Sequence, residues 1–187
     1  CVVYTGDDAN DEHLYKMISK NPNDLSEGSL YVANLEKGKW LSLNIEDHEV
    51  LKANFTDQLD VQIRMREAAK LVGATPLARP EDIEVDPITG HVFVALTNNK
   101  PKGDYLGSIM KIMESNDDYS SMTFNYETFL TGGSDTGFAC PDNLVFDKKG
   151  NLWFTTDISG SSISKGPYED FGNNALFVVL RSGDNNG

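Results

Sequence analysis

Two short stretches of this sequence set carboxylates and amides at matching positions. One is Arg79-Pro80-Glu81-Asp82 with Asn98 and Asn99 downstream; the other is Cys140-Pro141-Asp142-Asn143 with Asp157 downstream. Such side chains are hard oxygen donors. Gathered in one place they repel each other unless a cation joins them, and Ca2+ suits that donor set best. Asp, Asn and Pro are also common at turns and strand starts, where they satisfy backbone groups locally. The residue types alone leave both roles open.

The elements that must position these groups are hairpins. Ile83 to Val85 is a short strand pattern that breaks at Asp86-Pro87-Ile88-Thr89-Gly90 and resumes from His91 to Leu96. Pro and Gly at those offsets mark a tight turn. The same pattern returns downstream: Pro80 corresponds to Pro141, Glu81 to Asp142, Asp82 to Asn143, Asp86 to Asp147, Gly90 to Gly150, Phe93 to Trp153 and Thr97 to Asp157. The two prolines are 61 residues apart. A repeat of hairpins at this period predicts β-propeller blades, and the hairpin repeats lie at about 80–99 and 141–157. In a propeller the residues before each innermost strand converge on the axis, which would bring Glu81 and Asp142 to one mouth.

The rest of the chain fits one mainly β domain over residues 1–187. Cys1 to Tyr4, Leu14 to Ile18, Leu30 to Leu35, Lys39 to Leu43, Ser108 to Met113, Met122 to Leu130 and Ala175 to Leu180 read as strands. Ser19 to Gly28 reads as a polar turn, and Ser159 to Asn174 as a long polar loop. One short helix is predicted between Thr56 and Gly73, with Leu59, Ile63, Ala69, Leu71 and Val72 on its apolar face and Thr56 or Asp57 as its cap. Arg64, Arg66 and Lys70 decorate it as a solvated face. At about 40–60 residues per blade, 187 residues hold three or four blades. The strand-like ends give the expectation of a piece cut from a larger protein.

Composition excludes several classes. The formal net charge of −13 and the lack of a basic stripe argue against nucleic acid and anionic membranes. No apolar run reaches the length of a membrane span. Cys1 and Cys140 form no CxxC pattern. His13, His48 and His91 have no GxSxG partner, and P-loop and Rossmann glycine patterns are absent. The loop Gly6 to His13 carries four acids, Asp7, Asp8, Asp11 and Glu12, a metal candidate whose spacing differs from an EF-hand.

Several motifs in register carry a resemblance. They are Gly6-Asp7-Asp8, Glu12-His13-Leu14-Tyr15-Lys16, Glu27-Gly28-Ser29-Leu30-Tyr31-Val32-Ala33, Gly73-Ala74-Thr75-Pro76, Arg79-Pro80-Glu81-Asp82, Val94 to Asn99, Pro141-Asp142-Asn143-Leu144, Asn151-Leu152-Trp153 and Thr156-Asp157. Together they resemble the PhoX-type alkaline phosphatases over nearly the whole chain. The resemblance implies a six-bladed propeller, of which this chain would hold about three blades. It also implies a site dependent on Ca2+ and Fe3+ for phosphate monoesters, in a periplasmic or extracellular protein. By motif match Glu12 and Glu81 would be metal ligands, Asp142, Asn143 or Asp157 would supply further calcium contacts, and Arg79 would face the phosphate. The family's iron-ligating cysteine has no counterpart in Cys1 or Cys140, so the isolated chain is expected to have little or no phosphatase activity. The competing expectation is a non-catalytic calcium-binding propeller module. Unpaired strand edges would allow a homodimer.

Overall fold

The computed structural model describes residues 1–181. The sequence of Arg181 to Gly187 reads as a frayed or interrupted tail, and from residue 182 on it lies outside the described residues. Three antiparallel sheets dominate. Sheet one contains β1 (Val2–Gly6), β3 (Leu14–Asn21), β4 (Asp24–Asn34) and β5 (Lys39–Ser42), in the order β1-β3-β4-β5. Sheet two contains β7 (Pro80–Val85), β8 (Val92–Leu96), β9 (Ser108–Glu114) and β10 (Phe124–Thr131), in the order β10-β9-β8-β7. Sheet three is β11 (Pro141–Phe146), β12 (Leu152–Thr156) and β13 (Leu176–Val179). A two-stranded ribbon pairs β2 (Asn10–Glu12) with β6 (Leu77–Ala78). The described sheets do not close into a barrel.

Period-two alternation explains the stacking. On β8, Val92 and Val94 face sheet one, with Leu14, Ala33, Trp40, Met110, Ile112 and Phe124 in the same buried cluster. The intervening Phe93 and Ala95 face sheet three, packing with Ile109, Phe138, Leu144, Leu152 and Phe154. Sheet two is therefore apolar on both faces, whereas the far face of sheet one packs on helices through Tyr15, Val32, Leu43, Leu51, Val61 and Ala68. Each buried Val, Leu, Ile, Phe or Met among them contributes about 1.5–3 kcal/mol relative to exposure.

One ionic contact crosses the first interface. Lys16 on β3 and Glu114 at the end of β9 have side-chain exposures of 0% and 2%, and meet at 2.9 Å. The ammonium also donates to Ser121 O at 2.8 Å and lies 5.1 Å from the Trp40 ring centroid. Glu114 Oε1 in turn accepts from Tyr4 OH at 2.6 Å and from Trp40 Nε1 at 3.0 Å. Burial pulls the Lys16 pKa below its ordinary value, an effect its bond to Glu114 opposes.

The starts of β7 and β11 share their backbone detail. Pro80 pairs with Leu96 and Pro141 with Thr156, and in both hairpins the register then shifts before Ile83↔Val94 and Leu144↔Phe154. The residue before each proline is left-handed: Arg79 and Cys140 both have φ of 55°. Their carbonyls accept from Thr97 N and Asp157 N, at 3.2 and 2.9 Å. A bulge and a left-handed residue are thus repeated at both strand starts.

Two expectations are corrected. Ser19 to Gly28 is not a polar turn: β3 and β4 pair through Ser19↔Gly28 and turn only around Pro22 and Asn23. The single helix expected between Thr56 and Gly73 is two, α2 (Gln58–Ile63) and α3 (Met65–Val72), and a further helix that was not foreseen, α1 (Glu49–Asn54), precedes them. Arg64, at φ −103° and ψ 39°, interrupts the run between α2 and α3 and turns the helical face. Leu59 and Ile63 consequently stay exposed while Val61, Ala68 and Ala69 are buried. The caps follow expectation, with the Asp57 side chain accepting from Asp60 N and Gly73 left-handed at φ 87°.

Candidate active site

The site forms where β1 ends against the start of β7. Gly6 closes β1, and a Cβ at that position would lie 2.2 Å from Pro80 O. Only glycine permits so close an approach of the two backbones. It sets the acidic loop that follows beside Arg79, whose guanidinium forks onto Asp8: Nε to Oδ1 and Nη2 to Oδ2, both at 2.9 Å. Nη1 has no partner among the described residues.

Every acid of that loop has its own basic partner. Asp7 takes a fork from Arg66 at 2.5 and 2.6 Å. Asp8 takes Arg79, and Asp11 takes Lys102 at 2.6 Å. Glu12 Oε1 accepts from Lys70 Nζ at 2.7 Å. The predicted reading of these four acids as a metal loop is therefore altered: as a set they are already neutralised. Asp11 uses only Oδ1 and stays part-exposed, whereas Glu12 keeps its second oxygen buried. Its Oε2 is buried and unpaired, 3.9 Å from His13 Nε2, itself buried and unpaired. His13 Nδ1 bonds Thr75 O at 2.9 Å, and since a carbonyl only accepts, Nδ1 carries the hydrogen.

The remaining carboxylates are not neutralised. Partial burial, then the charges of Asp142 and Asp82, push the Glu81 carboxyl up to about 7. Asp142 is raised by partial burial and then by Asp157. Both shifts run the same way, so the pair keeps a proton to higher pH than isolated carboxyls would. Partial burial works against the charge of Arg79, but the Asp8 fork and the nearby Asp157 and Asp142 outweigh it and raise its pKa. Asn143 Nδ2 reaches Glu81 Oε2 at 3.4 Å, and Asp82 Oδ2 accepts from Leu144 N at 2.7 Å, tying β7 to β11.

Arg79, Glu81, Asp142, Asn143 and Asp157 are thus brought into one electrostatic neighbourhood, joined by Asp8. Glu12 sits on the ribbon strand β2, with Lys70 and His13 as its described contacts. No group of three or more His, Cys, Asp or Glu side chains is preformed as a metal cage among the described residues. Asn98, by contrast, turns away and donates to Cys140 Sγ at 3.5 Å. Sequence reasoning placed Lys70 and Arg66 on a solvated face. The signal that could have found them is their four-residue spacing, which sets both on one side of a helix opposite Asp7 and Glu12.

Comparison with known proteins gives the family of the chain. Residues 1–187 match the family described as alkaline phosphatase PhoX, and the chain belongs to that family. Among solved structures it is similar to Pseudomonas fluorescens PhoX in complex with vanadate, a transition state analogue, at 30% identity and a TM-score of 0.86. The match covers 95% of this chain and 40% of that one. No curated protein matches.

Proposed function

We propose that the chain forms part of a metal-dependent site that hydrolyses phosphate monoesters. The observation that carries the reading is the excess of carboxylate around one arginine: Glu81, Asp142 and Asp157 crowd a guanidinium whose single fork is used by Asp8. Partial burial and that crowding push the Glu81 carboxyl up to about 7. A hard cation in place of the Glu81 proton fits the donor set. Glu81, Asp142, Asn143 and Asp157 would hold Ca2+, with Glu12 offering Oε2 from the adjoining ribbon. Bound metal would polarise the phosphoryl oxygens. Arg79 would direct its free Nη1 at a non-bridging oxygen while Asp8 keeps the guanidinium plane fixed.

Iron is assigned no ligand here. Cys1 is exposed, and Cys140 is buried against Asn98, Tyr105 and Tyr168 rather than among the carboxylates. Fe3+ would therefore take its sulfur ligand, if it has one, from elsewhere in the protein. The three sheets are read as blades of a six-bladed propeller, and the protein as periplasmic or extracellular. No described helix is long and apolar enough to cross a membrane. Association into a homodimer remains part of the reading through the strand edges.

The test is turnover of p-nitrophenyl phosphate by the protein carrying this chain. Arg79→Ala should lower kcat by about 10²–10³, the effect of removing one transition-state donor, with calcium content unchanged. Arg79→Lys should not restore it, because an ammonium cannot hold Asp8 and the phosphate in one plane. If activity persists in Arg79→Ala, or calcium is lost with it, Arg79 is structural. The 187 residues alone should show little or no turnover, since no metal cage is preformed among the described residues.

A further inference from the structure

We propose that Lys70 is a positioning residue that decides which oxygen of Glu12 the site can use, an inference that rests on the reading of Glu12 as a cation ligand. The argument starts from α3. Residues four apart lie on one side of a helix, and α3 uses that spacing to hold both ends of the acidic loop: Arg66 forks Asp7 and Lys70 binds Glu12. The Glu12 side chain is only 8% exposed, so Lys70 engages a carboxylate already withdrawn from solvent.

The grip is one-sided. Lys70 takes Oε1 at 2.7 Å, while Oε2 is buried without a hydrogen-bond partner. A buried carboxylate oxygen without a donor is unfavourable unless a donor or cation meets it. The face that Oε2 looks onto also holds His13 Nε2, likewise buried without a hydrogen-bond partner, while His13 Nδ1 is turned to Thr75 O. Thr75 is in turn fixed to sheet one, its N donating to Ala33 O at 2.9 Å and its Oγ1 accepting from Leu35 N at 2.8 Å. Oε2 and Nε2 therefore face one another 3.9 Å apart, each side chain held from behind: Glu12 by Lys70, His13 by Thr75. That is how groups behind a ligand orient it.

Charge and geometry predict opposite outcomes when Lys70 is removed. If Lys70 acts only as a nearby positive charge, losing it should tighten cation binding. If it positions Glu12, losing it should weaken binding, because the carboxylate can then rotate. Calcium titration by calorimetry of the protein carrying this chain compares wild type with Lys70→Met and Lys70→Arg. The expected result is an affinity about tenfold weaker in Lys70→Met, the lower end of what such supporting groups contribute, with Lys70→Arg close to wild type. Equal or tighter binding by Lys70→Met overturns the proposal.

A crystal structure of Lys70→Met supplies a readout independent of calcium. Glu12 should leave its single rotamer, and a carboxylate that stays in place refutes the role of Lys70 even if wild type binds no calcium. Absence of calcium binding by wild type would instead refute Glu12 as a ligand. Lys70 is 55% exposed, so Lys70→Met should fold; Lys70→Gln serves as the second variant.

Discussion

Replacing Lys16 by Met should destabilise the protein by about 3–5 kcal/mol, the effect of stranding one partner of a buried ion pair. The structure sets the value within that range. Glu114 is 2% exposed and would keep two donors, Tyr4 OH and Trp40 Nε1, so its charge is partly solvated even after Lys16 is gone. A value nearer 3 than 5 follows. For a chain of this length each kcal/mol moves the melting temperature by about 2–4 °C, so Lys16→Met should melt roughly 6–12 °C lower. Thermal and urea unfolding followed by circular dichroism measure it. Adding Glu114→Gln to Lys16→Met removes the stranded charge but keeps an acceptor for Tyr4 and Trp40, and should recover at least half of the loss. A loss under about 1 kcal/mol in Lys16→Met would refute the reasoning, as would a further loss in the double variant. The pair matters to the site because it joins the sheet that carries Asp8 to the sheet that carries Arg79.

Two other perturbations address the site directly. Gly6→Ala would put a methyl against Pro80 O, and the forced separation of β1 from β7 should lower stability by about 1–3 kcal/mol; unfolding curves measure this, and a crystal structure should show the Asp8–Arg79 fork lengthened. Glu81→Gln should change the pH dependence of stability. The folded carboxyl titrates at about 7 against an ordinary value of 4.5, so the folded state binds the proton more tightly. Its contribution is fully present below pH 4.5 and lost as the pH rises to about 7. Glu81→Gln should therefore be more stable than wild type at pH 8 in EDTA, with the difference vanishing near pH 4; urea titrations at both pH values test the sign.

Much of this was legible in the sequence because it is repeated. The two Pro-acid strand starts and the Asp-to-Gly turns are set by local chemistry, and local chemistry reads directly from residue type at Pro80, Pro141, Asp86 and Asp147. The bulge at each strand start was not legible, since a register shift depends on the partner strand. The helical segment misled because Leu59 and Ile63 are apolar yet exposed, and the interruption at Arg64 is a backbone event without a Gly or Pro to announce it. The acidic loop misled differently. Four acids in eight residues look like a cation site until their partners are known, and Arg66, Lys70, Arg79 and Lys102 come from distant parts of the chain.

That dispersal has a kinetic consequence. The loop partners of Asp7, Asp8 and Glu12 lie 59, 71 and 58 residues away, and Asn99, which donates to Asp11 at 2.8 Å, lies 88 residues away. Loop closure over such distances is entropically slow to meet, and contacts of this range form late. During synthesis the acidic loop emerges before all four of its basic partners, Arg66 and Lys70 on α3 first and Arg79 and Lys102 after them. The candidate site is therefore an endpoint of folding: it assembles after the sheets and reports that they have assembled correctly.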